Sequence, residues 1–448
     1  MKAALAEIRQ ALGLPPGSEP GLVASGWSVD TRTLAPGDLF FALRGPNHDG
    51  HQFVKEAFDK GAVAAVVERP VEASGPVLEV PDVLAALHRL AGWAREHWPG
   101  RLVAVTGSAG KTTTKEIIAR LLETALRAGK SAGNLNNHIG VPLSLLRLPE
   151  NAEAAVIEIG MNHPGEIRQL ARIARPDVGV VTNVGHAHLE FFNSIEDVAL
   201  AKRELIEELP PAGVAVLNAD DPLVAGFRQV HVGRTVTFGL GTGADVRATE
   251  VELRPDGVRF RVAGVLMETP LAGVHNLRNL LAALAAAGEF GLRPEQLRET
   301  VAGLSAAPMR GRRLQHRGIT VFDDCYNSNP EALAAMLELL GAEPAGRRLA
   351  VLGEMLELGD ASERLHREAG RRAAACGVNL LVGVRGAARQ LVEGAIEAGL
   401  PAGNAFFFED PRQAGLFIAQ AARPGDAVLF KGSRGARLEL ALEEFLKA

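Results

Sequence analysis

Cysteine is nearly absent. Cys325 and Cys376 are the only two in 448 residues, too few for a disulfide framework or a cysteine-based zinc site. Long apolar runs are missing too. The longest wholly apolar helical stretch, Leu280 to Ala287, is far below the ~20 residues that span a bilayer. Met1 to Leu12 alternates charge without an apolar centre, so it does not read as a signal peptide. No cationic excess exists: the net charge is −5, which argues against nucleic acid as the principal partner. Tyrosine occurs once, as Tyr326, and lysine is scarce: nine residues (2, 55, 60, 111, 115, 130, 202, 431, 447) among 48 Lys plus Arg. Where arginine carries most positive charge, each lysine raises the question of whether arginine would serve. What remains, 47% hydrophobic and 23% charged, is the balance of a soluble, cytoplasmic protein of about three domains.

Three blocks follow one another along the chain. The first, to about Pro99–Gly100, mixes short strands (Asp38 to Leu43, Ala62 to Val67, Val77 to Val80) with helices (about His51 to Lys60, Val83 to His97). The second opens with the apolar, β-branched run Arg101 to Thr106. It continues through strands at Ala155 to Ile159, Val178 to Thr182 and Val214 to Leu217, alternating with helical segments, the pattern of a parallel sheet covered on both faces. Val251 to Leu253 and Val258 to Val262 flank Arg-Pro-Asp-Gly, a hairpin signal. The third block starts after about Arg313, with strands at Ile319 to Phe322, Leu349 to Leu352, Leu380 to Val384, Ala405 to Phe408 and Ala427 to Phe430, a second doubly wound unit.

Thr106-Gly-Ser-Ala-Gly-Lys-Thr-Thr113 joins a predicted strand to a predicted helix. Backbone N–H groups of Ser108, Ala109 and Thr113 and the helix N-terminus form an anion cradle there. Gly107 and Gly110 allow close approach of phosphate. Lys111 suits the β/γ-phosphates as a compact point charge, which arginine's planar fork is not, and the Thr112 hydroxyl suits Mg²⁺. The loop is shorter than the common motif, with two residues rather than four between its first glycine, Gly107, and Gly110, and Val105 where that first glycine usually stands. Glu158 ends a strand beside this loop, where a carboxylate suits Mg²⁺. In Asn183 to Glu190, His186 and His188 alternate, so that one faces the cleft while the other supports the loop. Lys202, on the next helix, is a misplaced cation unless its charge is altered. Asp323-Asp-Cys-Tyr-Asn-Ser-Asn-Pro330 gathers acids, amides and the single tyrosine after a strand. Asn329 suits the cap of the helix starting at Pro330, and Cys325 reads as a small space-filler.

Together these segments resemble the Mur ligase family, the ATP-dependent amino-acid ligases of peptidoglycan synthesis, over the whole chain. Gly133-Asn-Leu-Asn-Asn-His-Ile-Gly-Val-Pro142, Glu158 to Ile167, Asp324 to Pro330 and Lys431-Gly-Ser-Arg434 are most similar to the branch whose substrates are UDP-MurNAc-tripeptide and D-Ala-D-Ala. The resemblance implies an α/β fold of three domains in a monomer. A small N-terminal domain (1–99) would bind UDP-MurNAc. A central P-loop parallel-sheet ATPase domain (100–313) would bind ATP, and a C-terminal Rossmann-like domain (314–448) the dipeptide. It implies phosphate and Mg²⁺ contacts from Lys111, Thr112 and Glu158, a second Mg²⁺ on His188, and a carbamylated Lys202, which resolves the misplaced cation. It implies adenine contact by Asn276 and γ-phosphate and ribose contacts by Arg312 and Asp324. Among the arginines of Met309 to Arg313, Arg312 is taken because it follows Gly311. Asp30, Thr31 and Arg32 resemble part of the uridine-nucleotide region, to which Asn136 and Asn137 are added. Asn327, Asn329, Lys431 and Arg434 are placed near the dipeptide. The nearest alternatives are the ligase adding the third stem-peptide residue and a folylpolyglutamate synthetase. The first usually carries Asp-Asn-Pro-Arg in its C-terminal domain, absent here; the second lacks such an N-terminal domain.

Overall fold

A computed structural model describes residues 1–17 and 21–448. β-Branched and aliphatic residues in runs of four to six, bounded by Gly, Pro and Asp, build its strands. Gly26–Ser28, Asp38–Phe41, Ala64–Val67 and Val77–Glu79 form a parallel four-stranded sheet in that order. The helix expected over His51 to Lys60 begins as a 3₁₀ turn, Gly50–Phe53, and becomes α-helical at Val54–Asp59.

The central sheet has nine strands. Arg101–Thr106 lies between Ala154–Glu158 and Val178–Val181, both parallel to it. Chain order reverses at this strand, so the C-terminal ends of all three open onto one crevice, the usual ligand position in such sheets. Beyond Val178–Val181 follow Val214–Asn218, Arg234–Gly239 and then Val246–Arg254, Gly257–Val262 and Val265–Thr269. The last three form an antiparallel meander, with Arg254 opposite Gly257 at the expected turn. The apolar run Leu280 to Ala287 lies within helix Val274–Gly288, which packs on the sheet beside helix Lys111–Leu122. Among the described residues no helix is long and apolar enough to cross a membrane.

The third sheet runs Arg312–His316, Ile319–Asp324, Ala427–Lys431, Arg348–Gly353, Leu380–Val384, Ala405–Phe408, with only the first strand antiparallel. That edge strand starts at Arg312, so the expected boundary between 313 and 314 cuts a strand of this sheet. The segment has one apolar residue, Leu314, among Arg312, Arg313, Gln315 and His316; charged and polar residues suit an exposed sheet edge, and no apolar run announces the strand.

The seams between blocks differ in chemistry. One continuous apolar core joins Trp27, Leu39 and Leu87 of the first block to Leu102, Leu146 and Ile157 of the second. The Met1 ammonium donates to the Leu146 and Leu148 carbonyls at 2.9 and 3.1 Å, and Trp98 Nε1 to the Ala152 carbonyl. The third block has cores of its own and meets the second largely through polar groups.

Candidate active site

A cavity of about 870 Å³ occupies that polar seam. Its floor is the phosphate loop. Gly107 has φ +148° and Gly110 φ +80°; a Cβ on them would lie 1.9 Å from Thr182 Oγ1 and 2.2 Å from Asn279 Oδ1. The loop therefore requires glycine at both places, for backbone conformation and for space. Asn183 clamps its crown: its Oδ1 accepts from the Ala109 N–H at 2.9 Å, and its Nδ2 donates to the Ala109 carbonyl at 3.0 Å. Ser108 Oγ accepts from the Gly185 N–H at 2.8 Å. Lys111 begins the helix and its Nζ donates to the Gly107 carbonyl at 2.7 Å. Desolvation lowers the Lys111 pKa, opposed by the charge of Glu158. Thr113 lines the cavity beside them.

Thr112 Oγ1 donates to Glu158 Oε2 at 2.7 Å. The other carboxylate oxygen accepts from Asn136 Nδ2, also at 2.7 Å. A hydroxyl and a carboxylate at a phosphate-binding helix N-terminus are hard oxygen donors of the kind Mg²⁺ takes. Among the described residues no three His, Cys, Asp or Glu side chains form a ready cage. Mg²⁺ commonly needs none, because it keeps waters and takes phosphate oxygens beside one or two protein donors. The donor set therefore suits that ion. Asn137 accepts from the Gly140 N–H at 2.9 Å and holds the adjoining helix start.

Lys202 is 2% exposed, and its amine makes no hydrogen bond among the described residues. Desolvation, followed by the charge of Lys111, pushes its pKa well below the usual lysine range. Lys115, which the sequence presents as an ordinary helix lysine, is fully buried. Its Nζ donates to the Ser131 and Gly133 carbonyls at 2.9 and 2.7 Å and stands 4.0 Å from Glu158 Oε2. The four-residue spacing from Lys111 was the signal for it, since such residues share a helix face.

Both histidines of the Asn183 to Glu190 loop reach the third block. His186 Nδ1 pairs with Glu331 Oε1 at 2.5 Å, and His188 Nδ1 with Glu357 Oε2 at 2.6 Å. The His188 hydrogen bond lowers the Glu357 carboxyl pKa. Both imidazoles line the seam, and His188 also lines the cavity.

From the third block, Asp324 and Lys431 are register partners on neighbouring strands. Lys431 Nζ donates to Asp324 Oδ2 at 2.5 Å and to the Asn327 carbonyl at 3.0 Å. Asn329 caps helix Pro330–Ala342 through the Ala332 N–H at 2.8 Å, and its Nδ2 donates across to the Ser108 carbonyl at 3.3 Å. Cys325 is buried with its thiol pKa pushed up by desolvation, consistent with a space-filling role. Asn276 donates to the Ala272 carbonyl and lines the cavity, as does Asn279 one turn later, which sequence reasoning missed although the spacing shows it.

Two of the residues expected at this cavity, Arg312 and Arg434, do not line it. Arg310, not Arg312, enters the cavity, with its guanidinium 3.7 Å above the Tyr326 ring. Gly311 (φ +73°) turns the chain between them, and Arg312 starts the edge strand, its Nη2 3.3 Å from Asp323 Oδ2. Arg434 pairs with Glu439 at 3.1 Å on the exterior rather than lining the cavity. Asp30, Thr31 and Arg32 sit away from it in the first block. There Arg32 forks onto Asp30 and holds its carboxyl pKa down to about 2, and the Thr31 carbonyl accepts from Lys60.

Comparison with known proteins agrees with this geometry. Residues 24–95 match the Mur ligase family catalytic domain, 105–287 the Mur ligase middle domain and 309–434 the Mur ligase glutamate ligase domain. The UDP-N-acetylmuramoyl-tripeptide–D-alanyl-D-alanine ligase of Bacillus subtilis is 35% identical over 433 residues, covering 95% of this chain and 94% of that protein. The crystal structure of MurF from Acinetobacter baumannii superposes with a TM-score of 0.91 at 31% identity, covering 100% of this chain and 99% of that one. MurF from Thermotoga maritima in complex with ADP gives 0.84 at 31% identity, covering 95% and 97%. The chain belongs to the Mur ligase family.

Proposed function

We infer that this protein joins D-alanyl-D-alanine to UDP-N-acetylmuramoyl-tripeptide, cleaving ATP to ADP and phosphate, in peptidoglycan precursor synthesis. The observation that carries this reading is the cavity itself. A phosphate loop with its Thr112–Glu158 pair faces Asn327, Asn329 and Lys431 across a polar seam, so nucleotide and dipeptide sites face each other. The names of the full-length relatives supply the substrate pair.

A carboxylate is a poor electrophile. Transfer of the γ-phosphoryl to the tripeptide's terminal carboxylate expels ADP and gives that carbon a leaving group. The deprotonated dipeptide amine then adds to the carbonyl, and collapse releases phosphate and forms the amide. Such transfers need positioning and cationic clamps more than covalent protein chemistry. Lys111 and the N–H groups at the start of helix Lys111–Leu122 would hold the phosphates, since the Ser108 and Ala109 N–H groups are already donated to Asn183; Thr112 and Glu158 would hold one Mg²⁺, and His188 a second. Bound Mg²⁺ supplies charge neutralisation on the phosphate oxygens. Arg310 reaches the same cavity and adds a fixed positive charge. Asn276 is placed toward the base and Asp324 toward the ribose, while Asn279 lies against Gly110 at the phosphate end. The first domain, through the Asp30–Arg32 segment together with Asn136 and Asn137, takes the uridine nucleotide; the third takes the dipeptide.

For Lys202 the reading is carbamylation. Burial, and then the Lys111 charge, lower the amine's pKa and favour the neutral form that attacks CO₂, losing a proton as the N–C bond forms. The anion so made stands near Lys111 and replaces like-charge repulsion with attraction. A cytoplasmic monomer completes the proposal. The test is phosphate release with UDP-MurNAc-tripeptide plus ATP, offered D-Ala-D-Ala, single amino acids, or a folate with glutamate. Release with D-Ala-D-Ala alone is expected; release only with folate and glutamate would overturn the assignment.

A further inference from the structure

His188 and Glu357 meet from opposite sides of the seam at 2.6 Å. Each is in the left-handed backbone region, φ +63° and +62°. Neither is glycine or asparagine, so both conformations carry strain that neighbouring contacts must hold, a feature concentrated at functional sites. Those contacts are present. The Glu190 N–H donates to the Glu357 carbonyl at 3.1 Å, and Gly359 (φ +53°) packs so closely that a Cβ there would lie 3.1 Å from Glu190 Cα. The two strained turns are thus locked to each other, backbone as well as side chain.

We propose that Glu357 is a positioning residue for His188. Its carboxylate accepts the Nδ1–H, which fixes the tautomer and leaves the Nε2 lone pair for the cavity that His188 lines. A carboxylate behind a histidine orients the ring and raises its basicity toward a cation. Because Glu357 belongs to the third domain and His188 to the second, the imidazole is oriented only where the two domains meet. Metal affinity and domain closure are thereby coupled. This rests on the reading of His188 as a Mg²⁺ ligand. Glu331 provides an internal control: it binds His186 in the same loop and crosses the same seam, with no hydrogen bond to His188 among the described residues.

The experiment uses the full chain with ADP and follows Mn²⁺ binding by loss of the free-ion EPR signal, alongside the Mg²⁺ dependence of turnover. Glu357→Ala should weaken Mn²⁺ binding by roughly 10- to 100-fold, the range for a lost carboxylate partner. Its kcat should recover at high Mg²⁺. Glu357→Gln retains an acceptor oxygen and should lie between parent and Glu357→Ala; it decides the matter if the alanine variant fails to fold. In a His188→Ala background, Glu357→Ala should change Mn²⁺ affinity no further. If His188→Ala binds Mn²⁺ like the parent, the underlying reading of His188 fails. If His188→Ala weakens binding but neither Glu357 variant does, the positioning role fails alone. Equal weakening by Glu331→Gln would assign the effect to closure in general and overturn the role as well.

Discussion

Thr112 and Glu158 stand 46 positions apart in sequence, yet their Oγ1 and Oε2 atoms lie 2.7 Å apart. Parallel pairing of Arg101–Thr106 with Ala154–Glu158 brings Glu158 level with Val105, one residue before the strand turns into the phosphate loop. The hydroxyl and carboxylate therefore address one point. Glu158→Gln keeps the volume but loses the negative charge, and should lower kcat on the order of 100-fold or more. Thr112→Val should cost less, because one neutral donor is lost. Phosphate-release kinetics, with thermal melts to confirm the fold, check both; an active Glu158→Gln enzyme would remove Glu158 from the metal site.

Lys202 gives a sharper test because its proposed charge is opposite to its ordinary one. Lys202→Ala should nearly abolish turnover, and added short-chain carboxylates should restore part of it by occupying the vacated space. Lys202→Arg should stay inactive, since a guanidinium remains cationic and cannot take up CO₂. Full activity of Lys202→Arg would end the carbamate proposal.

Lys115 makes a prediction about stability. Its buried ammonium satisfies two carbonyls of the Ser131–Gly133 segment, and Ser131 Oγ in turn accepts from the Glu158 N–H at 3.1 Å. Lys115→Met leaves those carbonyls without their donor and should destabilise the chain by about 2–4 kcal/mol. Urea unfolding measures this directly. A loss below about 0.5 kcal/mol, the scale of a surface substitution, would show that water replaces the ammonium freely.

These cases also mark where sequence reasoning stops. The phosphate loop, Glu158 and Asp324 were readable because each follows an apolar run that announces a strand end. Glu331 and Glu357 were not. Their partners lie 145 and 169 positions away, and a surface-type glutamate carries no local sign of a tertiary pair. Among the arginines, local order favours Arg312 after Gly311 and says nothing of the turn at Gly311 that sends Arg310 inward. The common core of the first two blocks was hidden as well: helix Val83–His97 looks amphipathic either way, and only packing shows that its apolar face covers the next domain.

His275 supplies a prediction in pH. The ring sits in the cavity wall, and desolvation, opposed by Asp324 and reinforced by Lys431, lowers its pKa from 6.5 to about 4. Between those values the unfolded chain binds a proton that the folded chain does not, so stability rises with pH across the window. The contribution is full above about 6.5 and is lost as pH falls through about 4. A shift of this size amounts to about 3 kcal/mol at most, and less where cleft water reaches the ring. His275→Gln removes the titration, so its unfolding free energy should fall less than the parent's between pH 6.5 and 4.5. Other acids titrate in both proteins and cancel in the difference. Parallel losses in parent and variant, measured by urea unfolding at the two pH values, would show that the imidazole is already charged in the folded state, and that the cavity wall at His275 is wetter than its packing implies.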